Sequence, residues 1–247
     1  MKEYIDTAPV IEAFESGDEC PFCYMQRQAE QRAIRYVAGP GASYMEPQVR
    51  AITDSKGFCG EHLKKLYDYG NPLGSALMMQ THLLEMRNEL ETQIDKMQIP
   101  EKRGMFSKPQ EPSLLQWLQK RNHSCYLCDR VQSSMQRYYA TFYALLKDGD
   151  FRILAENCKG FCFHHMEGLM EQAGEHLPNG QRDWFYRVIP QLFQDHLARV
   201  QEDLDWFVAK HNYQNTGADW KNSRDAVSRA MQKLQGGHPA DPPYKKD

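Results

Sequence analysis

Four short segments of this chain carry residues that bind metals. They are Cys20-Pro21-Phe22-Cys23, Cys59-Gly60-Glu61-His62, Cys125-Tyr126-Leu127-Cys128 and Cys162-Phe163-His164-His165. Each holds two donors three residues apart. On a helix opening at the first donor, that spacing puts both side chains on one face, one turn apart. Thiolate and imidazole are the preferred ligands of zinc, and Cys3His is a closed tetrahedral set. The interval from Cys23 to Cys59 is 36 residues and that from Cys128 to Cys162 is 34. The context recurs as well, because Lys56-Gly57-Phe58-Cys59 returns as Lys159-Gly160-Phe161-Cys162. Joining neighbours in sequence predicts one zinc ion on Cys20, Cys23, Cys59 and His62, and a second on Cys125, Cys128, Cys162 and His165. Each ion would staple the starts of two helices within its own copy. Four protein ligands leave no coordination position for water, so the expected role is structural. An iron–sulfur cluster is the chemical rival, although all-cysteine ligation is its commoner form.

Neighbouring residues sharpen the ligand choice. His164 stands beside His165, but the register shared with His62 selects His165, and Glu61 occupies the place of His164 in the first copy. Cys158 belongs to neither set and aligns with Ser55, so it reads as a buried free thiol. The sharper alternative is a redox-sensitive thiol that exchanges onto the nearby site. Cys20-Pro21-Phe22-Cys23 looks like a glutaredoxin-type dithiol, yet that chemistry needs a βαβ setting that this chain lacks. His82 and His196 each precede a leucine on the long helix that closes their copy. They read as pseudo-equivalent residues beside a core stripe, with a supporting hydrogen bond or a ligand pair as the functional alternative.

The elements that position these donors read as helices throughout, and the predicted fold class is all-α, built from two repeated halves. Pro21 suits the first turn of a helix running to about Val37, stopped by Gly39-Pro40. The second CxxC opens a helix running past Tyr138 and Phe142 to Gly149. Shorter helices are expected near Pro47–Thr53 and Phe151–Asn157, and the CxxH segments open helices over Cys59–Tyr69 and Cys162–Gln172. A long helix closes each copy. Ala76, Met79, Leu83, Met86, Leu90 and Met97 in the first, and Ile189, Phe193, His196, Val200, Leu204 and Phe207 in the second, follow helical spacing and predict core-facing stripes. The resulting division is a first zinc-binding half over 1–98, a polar Pro-containing linker over 99–112, a second half over 113–214 and a tail over 215–247. Within the tail, 222–234 predicts a polar helix docking through Ala226, Val227, Ala230 and Leu234, and 236–247 reads as disordered.

Composition narrows the function classes. The 247 residues carry a formal net charge of −3, with lysines and arginines interleaved among acids. That balance argues against a nucleic-acid-binding zinc protein, which needs a basic surface. The polar N-terminus has no apolar signal core and no stretch approaches a membrane span, so a cytoplasmic protein without a membrane partner is expected. In that compartment seven cysteines are not expected to form a disulfide framework, and six of them belong to the two ligand sets. No nucleophile triad, phosphate loop or dinucleotide fingerprint is visible. The leading expectation is therefore a non-enzymatic interaction or regulatory module with a protein partner. A thiol-based redox or metal sensor, or an enzyme, using Cys158 or a labile zinc thiolate is the alternative.

The motifs as a set resemble an uncharacterised bacterial family, a domain of unknown function with duplicated CxxC…FCxxH motifs found chiefly in anaerobic Gram-positive bacteria. The resemblance runs from Ala8-Pro9-Val10-Ile11-Glu12-Ala13-Phe14 through the four ligand segments and Met45-Glu46-Pro47. It continues to Asp205-Trp206-Phe207, Tyr213 and Trp220-Lys221-Asn222-Ser223. It implies a duplicated, cytosolic, zinc-binding protein and no particular activity.

Overall fold

A computed structural model describes residues 6–97 and 112–239. Among these residues it has eleven α-helices and no strand. The expected linker, apart from Pro112, and residues 240–247 of the tail lie outside the described residues.

The helix starts follow local chemistry. Pro21 opens α2 (Pro21–Ala38) and Pro47 opens α3 (Pro47–Lys56), where a missing N–H costs nothing. Cys59 and Cys162 stand at the N-caps of α4 (Gly60–Tyr69) and α9 (Phe163–His176). The Cys162 sulfur accepts the His165 N–H at 3.4 Å. Asp148 caps α8 (Gly149–Glu156) by accepting the N–H groups of Asp150 and Phe151. Asn71 caps α5 (Pro72–Asp95) through Gly74. The remaining helices are α1 (Thr7–Glu15), α6 (Ser113–Asn122), α7 (Tyr126–Leu145), α10 (Arg182–Lys210) and α11 (Ala226–Gln235).

The chain forms two compact units, and neither coincides with a sequence copy. Among the described residues, one comprises 6–29 together with 132–239; the other comprises 30–97 and 112–131. The division falls inside α2 and α7. The opening segment of each copy, with its CxxC, therefore belongs to the unit that holds the rest of the other copy. This corrects the expected halves at 1–98 and 113–214, and it places most of the tail, including α11, in the first unit.

The residue between the paired cysteines anchors each unit. In the first unit the Phe22 ring stacks on Tyr139 at 4.6 Å and meets Phe142 at 5.7 Å and Phe161 at 6.1 Å. Phe14 of α1 adds contacts to Phe142 and Phe151 at 5.6 and 5.3 Å. In the second unit Leu127 and Tyr126 pack with Ile34, Val37, Val49 and Leu66, and Tyr126 lies edge-on to Phe58 at 6.3 Å. Burying a large side chain of this kind is worth about 1.5–3 kcal/mol. Both CxxC segments are thus held by the core of the unit that carries the other copy's CxxH.

His82 and His196 do prove equivalent in placement. Each lies on its long helix against the glycine of the Lys-Gly-Phe-Cys turn. Gly57 (φ +63°, ψ −155°) and Gly160 (φ +77°) adopt positive φ there. A Cβ on Gly57 would collide with the His82 ring, and one on Gly160 would lie 3.2 Å from His196 Cβ. The His82 ring is fixed by Asp54, whose carbonyl oxygen lies 2.7 Å from Nδ1. The Gly57 backbone conformation is open essentially to glycine alone, at a cost of about 1–3 kcal/mol for other residues. Gly57→Ala is expected to lower the urea midpoint by at least that cost. Adding His82→Ala should recover only the steric part, which a double-mutant comparison of unfolding curves reads out.

Two expected faces are corrected. On α5 the predicted core stripe is largely on the surface. Leu83 is 61% exposed, and only Gly74 and Met78 are buried on that helix. The far half of α5 packs on α6, where Glu89 accepts from Trp117 Nε1 at 2.6 Å and Arg121 Nε at 3.0 Å. A two-helix contact covers less of a helix than a full core does. On α11 the docking face is Ala226, Arg229, Gln232 and Lys233, whereas Val227 and Leu234 are exposed. Ala226 lies on the expected face and is fully buried, but Arg229, Gln232 and Lys233 seat the rest of the helix through hydrogen bonds, which hydrophobic spacing does not record.

Candidate metal centres

The eight predicted ligands assemble into two groups of four, with the pairs crossed between copies. Cys20, Cys23, Cys162 and His165 form one group, and Cys59, His62, Cys125 and Cys128 the other. Within each, all donor atoms lie within 4.8 Å of one another. This corrects the expected sets, in which Cys20 and Cys23 joined Cys59 and His62, and Cys125 and Cys128 joined Cys162 and His165. Sequence proximity had too little weight to decide the matter. Cys23 and Cys162 are 139 residues apart rather than the 36 that separate Cys23 from Cys59. That is two doublings of loop length, at about 0.6 kcal/mol each. The aromatic anchoring of Phe22 described above exceeds that difference.

The first centre lies wholly in the first unit and is buried; each of its four residues is at most 2% exposed. His165 turns Nδ1 inward, 3.5, 3.4 and 3.1 Å from the sulfurs of Cys20, Cys23 and Cys162. Cys23 and Cys162 are 3.6 Å apart, sulfur to sulfur. The second centre repeats this geometry. His62 Nδ1 lies 3.2, 3.4 and 3.4 Å from the sulfurs of Cys59, Cys125 and Cys128, and the Cys59 and Cys128 sulfurs are 3.8 Å apart. A tetrahedral zinc ion with bonds of about 2.3 Å to sulfur and 2.0–2.1 Å to nitrogen sets ligand-to-ligand edges of about 3.8 and 3.6 Å. The edges given above lie between those lengths and about half an ångström below them, and every donor pair lies within 4.8 Å. The centres therefore fit a single ion each. A cluster spreads its ligands over two or more irons and needs wider separations.

The surroundings differ between the centres. His62 Nε2 faces Glu30 at 3.1 Å, and Glu30 also accepts from Lys65 at 2.7 Å. A carboxylate on the outer nitrogen fixes ring orientation and raises ligand basicity. Burial would raise the Glu30 carboxyl, but the hydrogen bonds from His62 and Lys65 outweigh it and hold it below the usual range. Burial likewise opposes the charge on His62, and hydrogen bonding with Cys125 and Glu30 prevails, pushing it up to about 10. Cys125 is pushed down to about 6. Burial is again the opposing effect, outweighed by His62 and by the backbone N–H groups of Cys128 and Cys59. In the first centre burial raises Cys20, while Cys162 and Cys20 together lower Cys23. Each centre thus favours a deprotonated thiol, and because metal ligands must be thiolate and neutral imidazole, metal binding releases protons and affinity falls in acid. Glu30→Gln is expected to weaken metal at the second centre roughly 10- to 100-fold, read by competition with a chromogenic chelator, and to leave the first centre unchanged.

Residues from α11 cover the first centre. The Lys233 ammonium donates to the Glu19 carbonyl at 2.5 Å and to the Lys159 carbonyl, joining the backbones that lead into Cys20 and Cys162. In the second unit a backbone bond makes the corresponding link, from Tyr126 N–H to the Gly57 carbonyl at 2.9 Å. Pro21 occupies the place of Tyr126 in the first copy and has no N–H to give. A Cβ on Gly236, at the end of α11, would lie 3.5 and 3.7 Å from the sulfurs of Cys162 and Cys23. Gly236 is therefore placed against the centre, although the sequence assigned it to a disordered tail. The Glu19 side chain is ringed by Arg199, Arg229 at 3.9 Å and Lys233 at 3.4 Å.

The remaining sequence candidates stay outside both groups. His164 is exposed while His165 is buried. Cys158 is buried, and burial pushes its thiol up to about 11, which disfavours the reactive thiolate. His82 and His196 pack on the glycine turns, with His196 Nδ1 accepting from Arg199 at 3.0 Å. Glu30 and Lys233 were not singled out from the sequence. Glu30 carries the weak signal of lying two helical turns beyond Cys23. Lys233 carries none, because a lysine on a polar helix reads as solvated.

A family profile, that of the family of unknown function DUF6062, matches residues 1–241, and the chain belongs to that family. No curated protein and no solved structure matches it.

Proposed function

For this member of the family, we propose a zinc-binding helical protein whose two Cys3His centres are structural, and which works as an interaction or regulatory module rather than as an enzyme. The observation that carries the reading is the convergence of four protein donors in each group, with edges matching a tetrahedral zinc ion. A complete protein ligand set supplies cross-linking, and catalysis by such an ion would need an open position. Within each unit the ion joins a CxxC helix start to a CxxH helix start that are 63 or more residues apart. Exposed Leu83, Leu84 and Ile94 of α5, with Leu115 and Leu118 of α6, support a protein-interaction role. The formal charge of −3 weighs against nucleic acid. Among the described residues no helix is long and apolar enough to cross a membrane.

Metal analysis of the purified chain tests the proposal. About two zinc ions per chain are expected, and less than about one, with unmetallated cysteines, would sink it.

A further inference from the structure

The two centres share ligand chemistry but not exposure. In the first, all four ligands are buried, with α11 lying over them through Lys233 and Gly236. In the second, Cys125 and His62 are buried, Cys59 is half-buried and Cys128 is exposed. Backbone protection is uneven as well. The Cys125 sulfur accepts the Cys128 N–H at 3.4 Å, and such bonds draw electron density away from a thiolate. The exposed sulfur of Cys128 lies 3.8 Å from that of Cys59. A solvent-accessible thiolate beside a second thiolate is the arrangement that oxidants attack and resolve.

We propose that the second centre is an oxidant-sensitive site, in which Cys128 is the sulfur attacked by hydroperoxides and Cys59 resolves it, while the first centre is the inert staple. The proposal rests on the zinc reading above, because coordination to the ion is what keeps Cys128 a thiolate where burial and the neighbouring Cys125 and Cys59 sulfurs would otherwise raise it; by its exposure it is Cys128, rather than buried Cys158, that an oxidant reaches. The Cys128 thiolate attacks one oxygen of hydrogen peroxide; the O–O bond breaks, a sulfenic acid forms and hydroxide leaves. The Cys59 thiolate then attacks the sulfenic sulfur; an S–S bond forms, the S–O bond breaks and a second hydroxide leaves. Two thiolates lose two electrons and one peroxide gains them. Only Cys125 and His62 then remain as donors, too few to retain the ion.

The test uses the zinc-loaded full chain, hydrogen peroxide, a chromogenic zinc chelator and peptide mapping by mass spectrometry. One zinc ion per chain should be released at least ~10-fold faster than the other, with a Cys59–Cys128 disulfide and with Cys20, Cys23, Cys158 and Cys162 unmodified. Brief alkylation of the unoxidised protein with iodoacetamide should label Cys128 before any cysteine of the first centre, which needs no variant to fold. Cys128→Ser should abolish the disulfide while the first centre keeps its ion. Release of both ions in one phase, a Cys125–Cys128 disulfide, or labelling of Cys162 as fast as Cys128 would each overturn the proposal. Absence of zinc from the purified chain would instead overturn the zinc reading on which it stands.

Discussion

Serine at Cys162 is expected to abolish the same metal centre that serine at Cys20 abolishes, although 142 positions separate the two residues. Serine at Cys59 should remove the centre that serine at Cys125 removes. The crossed ligand groups demand this pairing. Cadmium substitution makes it visible, because a cadmium-113 spectrum should show two resonances, one per centre. Cys20→Ser and Cys162→Ser should each delete one and the same resonance, and Cys59→Ser and Cys125→Ser the other. Loss of a single resonance shared by Cys20→Ser and Cys59→Ser would restore the within-copy arrangement and refute the crossed one. The effect should be large. A structural zinc contributes on the order of 10–16 kcal/mol of apparent binding energy in small peptides, against a net stability of about 5–15 kcal/mol for a domain. Each substitution should therefore loosen its own unit, and hydrogen exchange would map the loss to residues 30–131 for Cys59 and Cys125, and to the other unit for Cys20 and Cys162.

Lys233→Met is the second change with a large expected effect, and it lies on a helix that a sequence reading treats as peripheral. The side chain is almost fully buried, and its ammonium holds the Glu19 and Lys159 carbonyls beside the Glu19 carboxylate. Methionine keeps most of the volume and removes every donor. The two carbonyls and the carboxylate lose a charged partner, and breaking a buried pair from one side costs about 3–5 kcal/mol. Unfolding in urea should show that loss. Because Lys233 ties together the backbones entering Cys20 and Cys162, zinc at the first centre should also become removable by chelator, while the second centre is unaffected. Lys233→Arg is a poor rescue, since a planar guanidinium does not fit a pocket built around a point charge. If Lys233→Met left both stability and chelator resistance unchanged, α11 would have no part in sealing the centre.

Much of this architecture was legible residue by residue. Pro21 and Pro47 mark helix starts, and the helices predicted from them agree with α2 and α3 to within a turn. The CxxH helices open at the expected cysteines. The eight donors were identifiable because two donors one turn apart at a helix start are a local property, carried by the residues themselves. The parallel placement of His82 and His196 was also visible, since each precedes a leucine on the long helix that follows its CxxH. The stripe on α5 misled because hydrophobic spacing says which face is apolar and not whether another element covers it. On α11 the apolar pattern correctly placed Ala226 in the docking face and missed the rest, since Arg229, Gln232 and Lys233 seat it through polar contacts that no periodicity records.

The sequence by itself determined which eight residues could hold metal, that they would form two groups of four and that helices present them. Those facts depend on residue type, three-residue spacing and capping, all of which act within a few positions of the chain. Only the tertiary structure decided which pairs meet. A CxxC closes a four-ligand set equally well with either CxxH, and the loop-closure difference amounts to about 1 kcal/mol. Packing of Phe22 among Tyr139, Phe142 and Phe161, and of Leu127 among Ile34, Val37 and Leu66, breaks that near-degeneracy in favour of the crossed arrangement. The same packing leaves one centre sealed beneath α11 and the other with Cys128 open to solvent, a difference that identical ligand types cannot encode.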